Sequence, residues 1–216
     1  MESLWCTGTV RRYAVVIGEA LVDLLETRVG DEIVYRPAIG GAPLNVAVGV
    51  VRLGGHAEFV ASVGSDVFGD RIKEFLRGVG VGVGGVVTAP AQTTLAVTSF
   101  DGSKPDFHFY GQPPSNGLFT RDDVDESLVS GSGALYCGSI ALLGEQVRDA
   151  ARRAWAVPGP VRAFDPNVRA SLLADPDGVR AFVEEFSATA DIVKLSDDDA
   201  ALLYRWPVRV ADGERS

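Results

Sequence analysis

The sequence predicts an α/β fold in which a mainly parallel sheet lies between two layers of helices, with a small second sheet beside it. Short apolar runs of strand length alternate with amphipathic segments over most of the 216 residues, which is typical of parallel sheets with right-handed crossovers. Two extended segments, residues 33–39 and 94–110, interrupt the alternation and are expected to pair. With 46% hydrophobic residues the chain can bury a substantial core. We therefore expect one domain over residues 13–216, with small-sheet strands near 31–40 and 93–111.

The first strand and the first helix have clear signals. Residues 14–18 combine strand length with β-branched content and predict a central strand. The later string Gly40-Gly41-Ala42-Pro43 places a glycine pair before a proline, a pattern that fits a turn leading into a helix. That helix is predicted over residues 44–53, and it ends at Gly54 and Gly55 because glycine accepts the left-handed conformation at a helix C-terminus.

A second strand and helix follow at once. Residues 57–63 predict a buried strand, and residues 68–77 predict a helix because their apolar side chains recur on one helical face. The extended segments 94–100 and 106–110 then flank Asp101-Gly102, a common hairpin dipeptide. Pro105 cannot donate a ladder hydrogen bond, so we expect a longer loop than a two-residue turn.

Beyond residue 120 the alternation of helices and strands resumes. Helices are predicted near residues 121–128, 146–156, 177–188 and 197–204. Strands are predicted at residues 134–137, 161–165 and 191–195.

Composition excludes several classes of function. The formal net charge of −9 disfavours partners such as nucleic acid or an anionic membrane surface, since both rely on basic patches. No apolar run approaches the ~18 to 20 residues that span a bilayer. Cys6 and Cys137 lack the spacing of a disulfide framework or a zinc site and are expected to be thiols in a reducing compartment. Residues 1–12 have no clear period and are expected to be a mobile leader without an export signal, which predicts a cytoplasmic protein.

One glycine-rich string resembles a nucleotide motif but lacks its context. Residues 80–85, GVGVGG, match GxGxxG, yet that fingerprint requires a preceding strand and a following helix. Here the string follows a predicted helix and precedes an extended stretch, so we reject it. P-loop, GxSxG and HExxH motifs are absent, and the isolated His56 and His108 are expected to be surface or packing residues.

The string GGAPLNVA at residues 40–47 suggests a binding function. Two residues without Cβ atoms would let a polyhydroxy ligand approach main-chain N–H groups, and Asn45 can both donate and accept hydrogen bonds, as a sugar hydroxyl does. The alternative is a tight turn whose glycines serve backbone geometry alone. The residues by themselves leave both interpretations open.

GGAPLNVA, with Gly54 and Gly64 downstream, resembles the N-terminal signature of the PfkB/ribokinase family of carbohydrate kinases. Other segments agree in order: GEALVD at 18–23, GSDVFG at 64–69, TLA at 94–96, FHFY at 107–110, FDPNVR at 164–169 and DIVKLS at 191–196. The residues in these segments are most similar to those of fructokinases. The resemblance implies a ribokinase-like three-layer α/β/α fold, a small β-sheet lid, and phosphorylation of a sugar such as fructose by ATP with Mg²⁺.

The resemblance also implies which residues bind the sugar. They are Asp23, Gly40, Gly41, Asn45, Phe109 and Arg169. Asp23 would accept charge-assisted hydrogen bonds from sugar hydroxyls, Phe109 would pack on the sugar ring, and Arg169 would reach phosphate or substrate oxygens. The alternatives are a surface carboxylate, a core aromatic residue and a solvated loop arginine.

Two further residues are implied on the nucleotide side. Lys194 lies in the segment that enters the nucleotide region, and the family's NxxE motif for magnesium-bound waters falls on residues 196–199, where only Asp199 keeps an acid. An acidic helix start is also favourable by roughly 0.3–1 kcal/mol through the helix dipole, and we favour that role for Asp199. Gly111 stands where fructokinase-like relatives usually have arginine, which leaves the sugar specificity open.

The family's catalytic base lies in a GxGD segment, and nothing after Asp199 resembles it. The base is therefore expected beyond Ser216, and we expect a fold truncated at its C-terminus. Phosphoryl transfer depends on positioning and charge stabilisation, so we expect this chain alone to be inactive. The alternatives are a non-catalytic sugar-binding or interaction protein and a fragment of a ribokinase or nucleoside-type kinase. A homodimer formed through the lid is a further expectation.

Overall fold

A computed structural model describes residues 13–101 and 104–205 and contains a six-stranded parallel sheet in the order β10-β9-β8-β1-β4-β5. Its strands are β1 (Ala14–Ile17), β4 (Ala57–Gly64), β5 (Gly82–Ala89), β8 (Ala134–Gly138), β9 (Val161–Asp165) and β10 (Ile192–Val193). All five pairings between them are parallel. The expected leader, residues 1–12, lies outside the described residues.

Helices cover both faces of this main sheet and confirm the predicted three layers. They are α1 (Ala42–Arg52), α2 (Val67–Gly78), α3 (Glu126–Ser130), α4 (Glu145–Trp155), α5 (Pro176–Ser187) and α6 (Asp197–Tyr204). One core packs α1 and α2 against the sheet, and a second packs α4 and α5 against the opposite face. Adjacent residues of β1 alternate between these cores: Val15 belongs to the second and Val16 to the first, as the period of a strand requires.

The smaller sheet has four strands in the order β3-β2-β6-β7 and is called the small sheet below. They are β2 (Leu21–Val29), β3 (Glu32–Gly40), β6 (Leu95–Asp101) and β7 (Lys104–Tyr110). Strand β2 pairs antiparallel with β3 and parallel with β6, and β6 pairs antiparallel with β7. The two predicted extended segments do belong to one sheet. They do not pair with each other, however, because β2, which the pattern did not predict as a separate strand, lies between them.

The loop expected around Pro105 is shorter than predicted. The antiparallel ladder continues to the pair formed by Asp101 and Lys104, with Pro105 opposite Phe100. Strand β7 forms an edge of the small sheet, and an edge strand tolerates a residue without an N–H group where no neighbour accepts from it. Only residues 102–103, which lie outside the described residues, separate the two strands.

Two predicted elements in the second half were wrong in extent. The helix expected over residues 121–128 is divided into a 3-10 turn, Arg121–Asp123, and the five-residue α3. Two acids cause the division: Asp123 turns back to accept from the Thr120 backbone N–H, while Asp125 caps α3. The strand expected over residues 191–195 is reduced to the two residues of β10.

The glycine-rich string at residues 80–85 leads into strand β5, so no helix follows it and its rejection as a dinucleotide fingerprint is confirmed. The pattern did not predict the full strand, since glycine weakens strands. At Gly82 the space a side chain would occupy is filled by Glu58 of the neighbouring strand. Across the described ranges, no helix has the length and apolar character needed to cross a membrane.

Candidate functional site

A cavity of about 200 Å³ lies between the small sheet and the carboxyl ends of β1, β8 and β9. Ligands of open α/β sheets bind at this edge of the parallel strands. Three structural pieces enclose the cavity: one face of the small sheet, the N-terminal turn of α1, and the loops that follow β1, β8 and β9.

The small sheet contributes an acid and two aromatic rings. Asp23 of β2 lies opposite Ala96 of β6, and Ala96 lies opposite Phe109 of β7. The three side chains therefore lie on the same face of the small sheet. Phe107 lies two residues away on the same face and also lines the cavity. Phe109 was predicted as a site residue and Phe107 was not, although the alternation of side chains along a strand identifies Phe107 as well.

Asp23 is half-buried, and its carboxylate has no hydrogen-bond or ion-pair partner within residues 13–101 and 104–205. Burial disfavours the charged form and raises the pKa of Asp23. An unpartnered carboxylate at a cavity wall costs free energy in the free protein. It is therefore a group whose hydrogen-bonding capacity is open to a ligand.

The N-terminal turn of α1 forms the next part of the wall. Gly41 is the N-cap residue, has φ 117°, and approaches the Glu19 carbonyl so closely that a side chain would collide with it. Asn45, one turn further, is exposed at the cavity, and its amide has no partner among the described residues. Gly40 does not line the cavity, and the Asp23 carboxylate occupies the place that a side chain at Gly40 would take.

The loops after β8 and β9 contribute a hydrogen-bonded set of polar side chains. Arg169 Nη1 donates to Asn167 Oδ1 at 2.9 Å, and Asn167 Nδ2 donates to Ser139 Oγ at 3.1 Å. Ser139 and Asn167 have φ values of 69° and 39°, which few residues other than glycine adopt. Such conformations concentrate at functional sites. Arg169 lies at the cavity as the resemblance implies, whereas Ser139 and Asn167 were missed.

Glu19, in the loop after β1, was also missed as a site residue. It lines the cavity, is only 2% exposed, and accepts hydrogen bonds from the backbone N–H groups of Ala42 and Ala141. Desolvation raises the pKa of Glu19 despite these donors. The sequence did contain a signal for Glu19, which is an acid directly after a predicted buried strand. Residues at such positions lie at the edge of a parallel sheet where ligands bind.

Lys194 and Asp199 lie outside this cavity. The Lys194 ammonium is 3.2 Å from an oxygen of Asp165, and its side chain is 56% exposed. Burial is the largest influence on Asp165 and raises its pKa even beside this cation.

Asp199 is 1% exposed, and both of its oxygens are engaged in local structure. One oxygen accepts from Val168 N–H at 2.7 Å, and the other accepts from the backbone and hydroxyl of Ser196 in a capping box. Asp199 thus caps the start of α6, and its implied role on the nucleotide side stays a prediction.

The described residues fit a sugar better than they fit a metal ion. Within them, no group of three or more His, Cys, Asp or Glu side chains is arranged to hold a metal. Lys194 presents an exposed cation suited to a phosphate oxygen. The carboxylate, amide and guanidinium groups at the cavity match the mixed donors and acceptors of a polyhydroxy ligand.

A second cavity of about 240 Å³ adjoins the first and shares Phe109 and Ile140 with it. Gly111, where the resemblance leads us to expect arginine, lines this second cavity. Part of its polar wall is paired within the protein, since the Thr94 hydroxyl donates to Asn116 Oδ1 at 2.8 Å.

Comparisons with known proteins agree with this geometry. The model of the pfkB family carbohydrate kinases matches residues 11–209. Fructokinase-1 from Zea mays is 36% identical over 203 residues. The crystal structure of a fructokinase from Xylella fastidiosa superposes with a TM-score of 0.82 at 31% identity and covers 91% of this chain. The same enzyme with bound ATP also gives a TM-score of 0.82, at 30% identity and 91% coverage.

The matches cover most of this chain but only part of each relative. The alignment includes 89% of this chain and 62% of the maize protein. The corresponding shares of the two Xylella fastidiosa structures are 63% and 61%. The chain therefore spans less than two thirds of the length of these relatives.

Proposed function

Since the chain belongs to the pfkB family of carbohydrate kinases, we propose that it carries the sugar-binding part of an ATP-dependent kinase for a fructose-like ketose. The observation that carries the proposal is the unpartnered, half-buried carboxylate of Asp23 in a cavity that also presents Asn45 and Arg169. The fructokinase relatives favour a ketose as the substrate.

The proposed binding mode follows from the chemistry of each wall. Asp23 accepts hydrogen bonds from two sugar hydroxyls, and its charge strengthens both. Asn45 and Arg169 bind further oxygens, while Phe109 and Phe107 pack on the C–H face of the sugar. In this view Gly40 acts indirectly, by leaving room for the Asp23 carboxylate.

The proposed nucleotide side has fewer residues in this chain. ATP supplies the phosphoryl group in the proposed reaction, with Lys194 as a partner for its phosphate oxygens. Among the described residues no three His, Cys, Asp or Glu side chains are grouped to hold a metal, and the 216 residues contain no GxGD string. We therefore expect these 216 residues by themselves to bind sugar without transferring phosphate.

Calorimetric titration of the 216-residue chain with D-fructose, D-ribose, adenosine and ATP tests the proposal. Fructose is expected to bind, and Asp23→Ala is expected to remove that binding. The same samples are then assayed for ADP release with ATP and Mg²⁺. ADP release that needs both sugar and ATP, and that is lost in Asp23→Ala, would support the kinase assignment and contradict the expected inactivity.

A second candidate function is non-catalytic sugar binding. It is favoured by the open groups of the cavity, Asp23, Asn45 and Arg169, which can bind a sugar without a nucleotide. Sugar binding together with no detectable ATP binding in the titration would support it. A preference for adenosine over fructose would instead identify a nucleoside-type relative and contradict both proposals for a ketose.

We also propose a homodimer formed through the small sheet, with that sheet acting as a lid. Its outer half exposes apolar side chains on both faces, Leu25 and Val29 on the cavity face and Ile33 and Tyr35 on the other. Light scattering is expected to give the mass of two chains. The double substitution Leu25→Lys with Tyr35→Lys should give one chain, while Leu53→Lys, an exposed control outside this sheet, should leave the dimer intact. A monomeric wild-type chain contradicts the proposal.

We also propose a cytoplasmic location. The thiol of Cys137 is buried and free, as suits a reducing compartment. Expression of a fluorescent fusion followed by cell fractionation tests the location, and recovery in an exported fraction would contradict it.

A further inference from the structure

Glu19 joins two walls of the cavity through the two oxygens of one carboxylate. Oε1 accepts from the N–H of Ala42, the first residue of α1, at 3.2 Å. Oε2 accepts from the N–H of Ala141, in the turn after β8, also at 3.2 Å. These elements are about 100 residues apart in sequence, so one side chain holds the helix that presents Asn45 against the turn that follows Ser139.

Two hydrogen bonds connect Arg169 to the turn that Glu19 holds. Arg169 donates to Asn167, and Asn167 donates to Ser139, two residues before Ala141. Burial has the largest effect on the pKa of Glu19 and raises it, while Ser139 lies close enough to the Glu19 carboxylate to have a smaller, opposite effect. Linked polar side chains of this kind polarise and strengthen one another.

We propose that Glu19 is a positioning residue that sets the spacing between α1 and the 139–141 turn and orients Arg169 toward the ligand. The inference rests on the proposed sugar-binding function for the identity of that ligand. Glu19 itself is assigned no contact with the reacting atoms. Its contribution comes from the fixed geometry of the groups around it.

The chemistry of the contacts explains why this position requires glutamate. Glutamine would place an NH₂ group against one of the two backbone N–H donors, so one wall would lose its acceptor. Aspartate is one methylene shorter and would not reach both walls. The buried N–H left without a partner would be satisfied only if the wall moved.

The chain contains a matched control in Asp66. Its Oδ1 accepts from Phe68 and Gly69 at the start of α2, and its Oδ2 accepts from Thr93 N–H at 2.7 Å. Asp66 thus also ties a helix N-terminus to a distant loop, but it lines neither cavity described above. Asp66→Asn reports the effect of losing such a tie without disturbing the sugar site.

The test compares Glu19→Gln with Asp66→Asn in three measurements: melting temperature, fructose affinity by calorimetry, and hydrogen exchange at Ala42 and Ala141. Both variants are expected to melt earlier. Glu19→Gln is expected to bind fructose about tenfold more weakly, the scale of one lost hydrogen bond to a charged group, and to exchange faster at one or both amides. Asp66→Asn is expected to keep wild-type affinity. Equal affinities in wild type and Glu19→Gln would overturn the proposal.

Ser139→Gly provides a second variant should Glu19→Gln fail to fold. Glycine adopts φ 69° freely, so the change removes the hydroxyl link without backbone strain. We expect weaker fructose binding with no loss of melting temperature, a combination that a merely structural role would not produce. Unchanged affinity in this variant would also contradict the proposal.

Failure of the proposed function is distinguishable from failure of this inference. A wild-type chain that binds none of the sugars contradicts the proposed function and the sugar-positioning role together. Slow exchange at Ala42 and Ala141 that persists in Glu19→Gln shows instead that Glu19 does not hold the walls, whatever the ligand.

Discussion

Replacing Asp23 by asparagine changes the charge at the cavity with almost no change of volume. The carboxylate has two acceptor oxygens and no partner within the described residues. Asparagine retains one neutral acceptor and exchanges the other for an NH₂ donor. Any sugar hydroxyl that donates to the lost oxygen must find water or go unpaired.

The expected loss of fructose affinity in Asp23→Asn follows from the loss of one acceptor oxygen. A hydrogen bond to a charged group contributes about 1.5–3 kcal/mol, and about 1.36 kcal/mol corresponds to a factor of ten. Loss of one such bond predicts a roughly 10- to 150-fold weaker affinity for fructose. The partial exposure of Asp23 favours the lower part of this range, since water competes for the same hydroxyls.

Calorimetric titration of wild type, Asp23→Asn and a control on the same strand measures the effect. Glu26→Gln is the matched control, because Glu26 lies three residues along β2 and therefore on the opposite face from Asp23. We expect wild-type affinity in Glu26→Gln and weak binding in Asp23→Asn. Equal affinities in all three proteins would refute the assignment of Asp23 as a sugar acceptor.

Four further outcomes are expected. Burial raises the pKa of Asp23, so the folded state binds this proton more tightly than the unfolded chain does and loses stability as pH rises through the raised pKa. In chemical denaturation, the unfolding free energy of wild type minus that of Asp23→Asn should thus increase as pH falls from neutrality; a flat difference would show that burial of Asp23 is unimportant. Asp199→Ala should lower the unfolding free energy by about 2–4 kcal/mol, because it removes a helix cap and leaves the buried Val168 N–H unpaired; unchanged stability with altered ATP binding would favour a nucleotide role instead. Phe164→Ala should cost about 3–5 kcal/mol in the same assay, since Phe164 is 1% exposed and stacks on Phe186 at 5.3 Å, whereas a loss below 1 kcal/mol would contradict tight packing there. Gly41→Ala should weaken fructose binding and lower the melting temperature, because φ 117° and the nearby Glu19 carbonyl leave no room for a methyl group; a variant with wild-type behaviour would show that this turn adapts.

The sequence pattern predicted an element correctly where interactions between residues close in sequence determine its bounds. Strand β9 and helix α6 have the predicted bounds, because each combines a clear period with a start or stop signal. The prediction of one helix over residues 121–128 was wrong, because the side chains of Asp123 and Asp125 form local caps that compete with a continuous helix.

Strand β2 shows the complementary limit. Its apolar first half resembles a continuation of β1, and only the partners at β3 and β6 make it the interior strand of a separate sheet. The choice between those partners depends on contacts that are distant in sequence, which no local window contains.

Sequence pattern alone was enough to predict the alternation that builds the parallel sheet, the family resemblance, and the proposed sugar-binding side chains Asp23, Asn45 and Arg169. Which of these groups remain open to a ligand depends on the folded chain. Asp23 and Asp199 are both acids. The Asp23 carboxylate faces the cavity and has no partner among the described residues, whereas both oxygens of Asp199 accept hydrogen bonds. Glu19 became a candidate only when its two backbone partners were seen to come from separate elements. The reason is physical: hydrogen-bond saturation and burial depend on neighbours that folding supplies, and these neighbours lie far away along the chain.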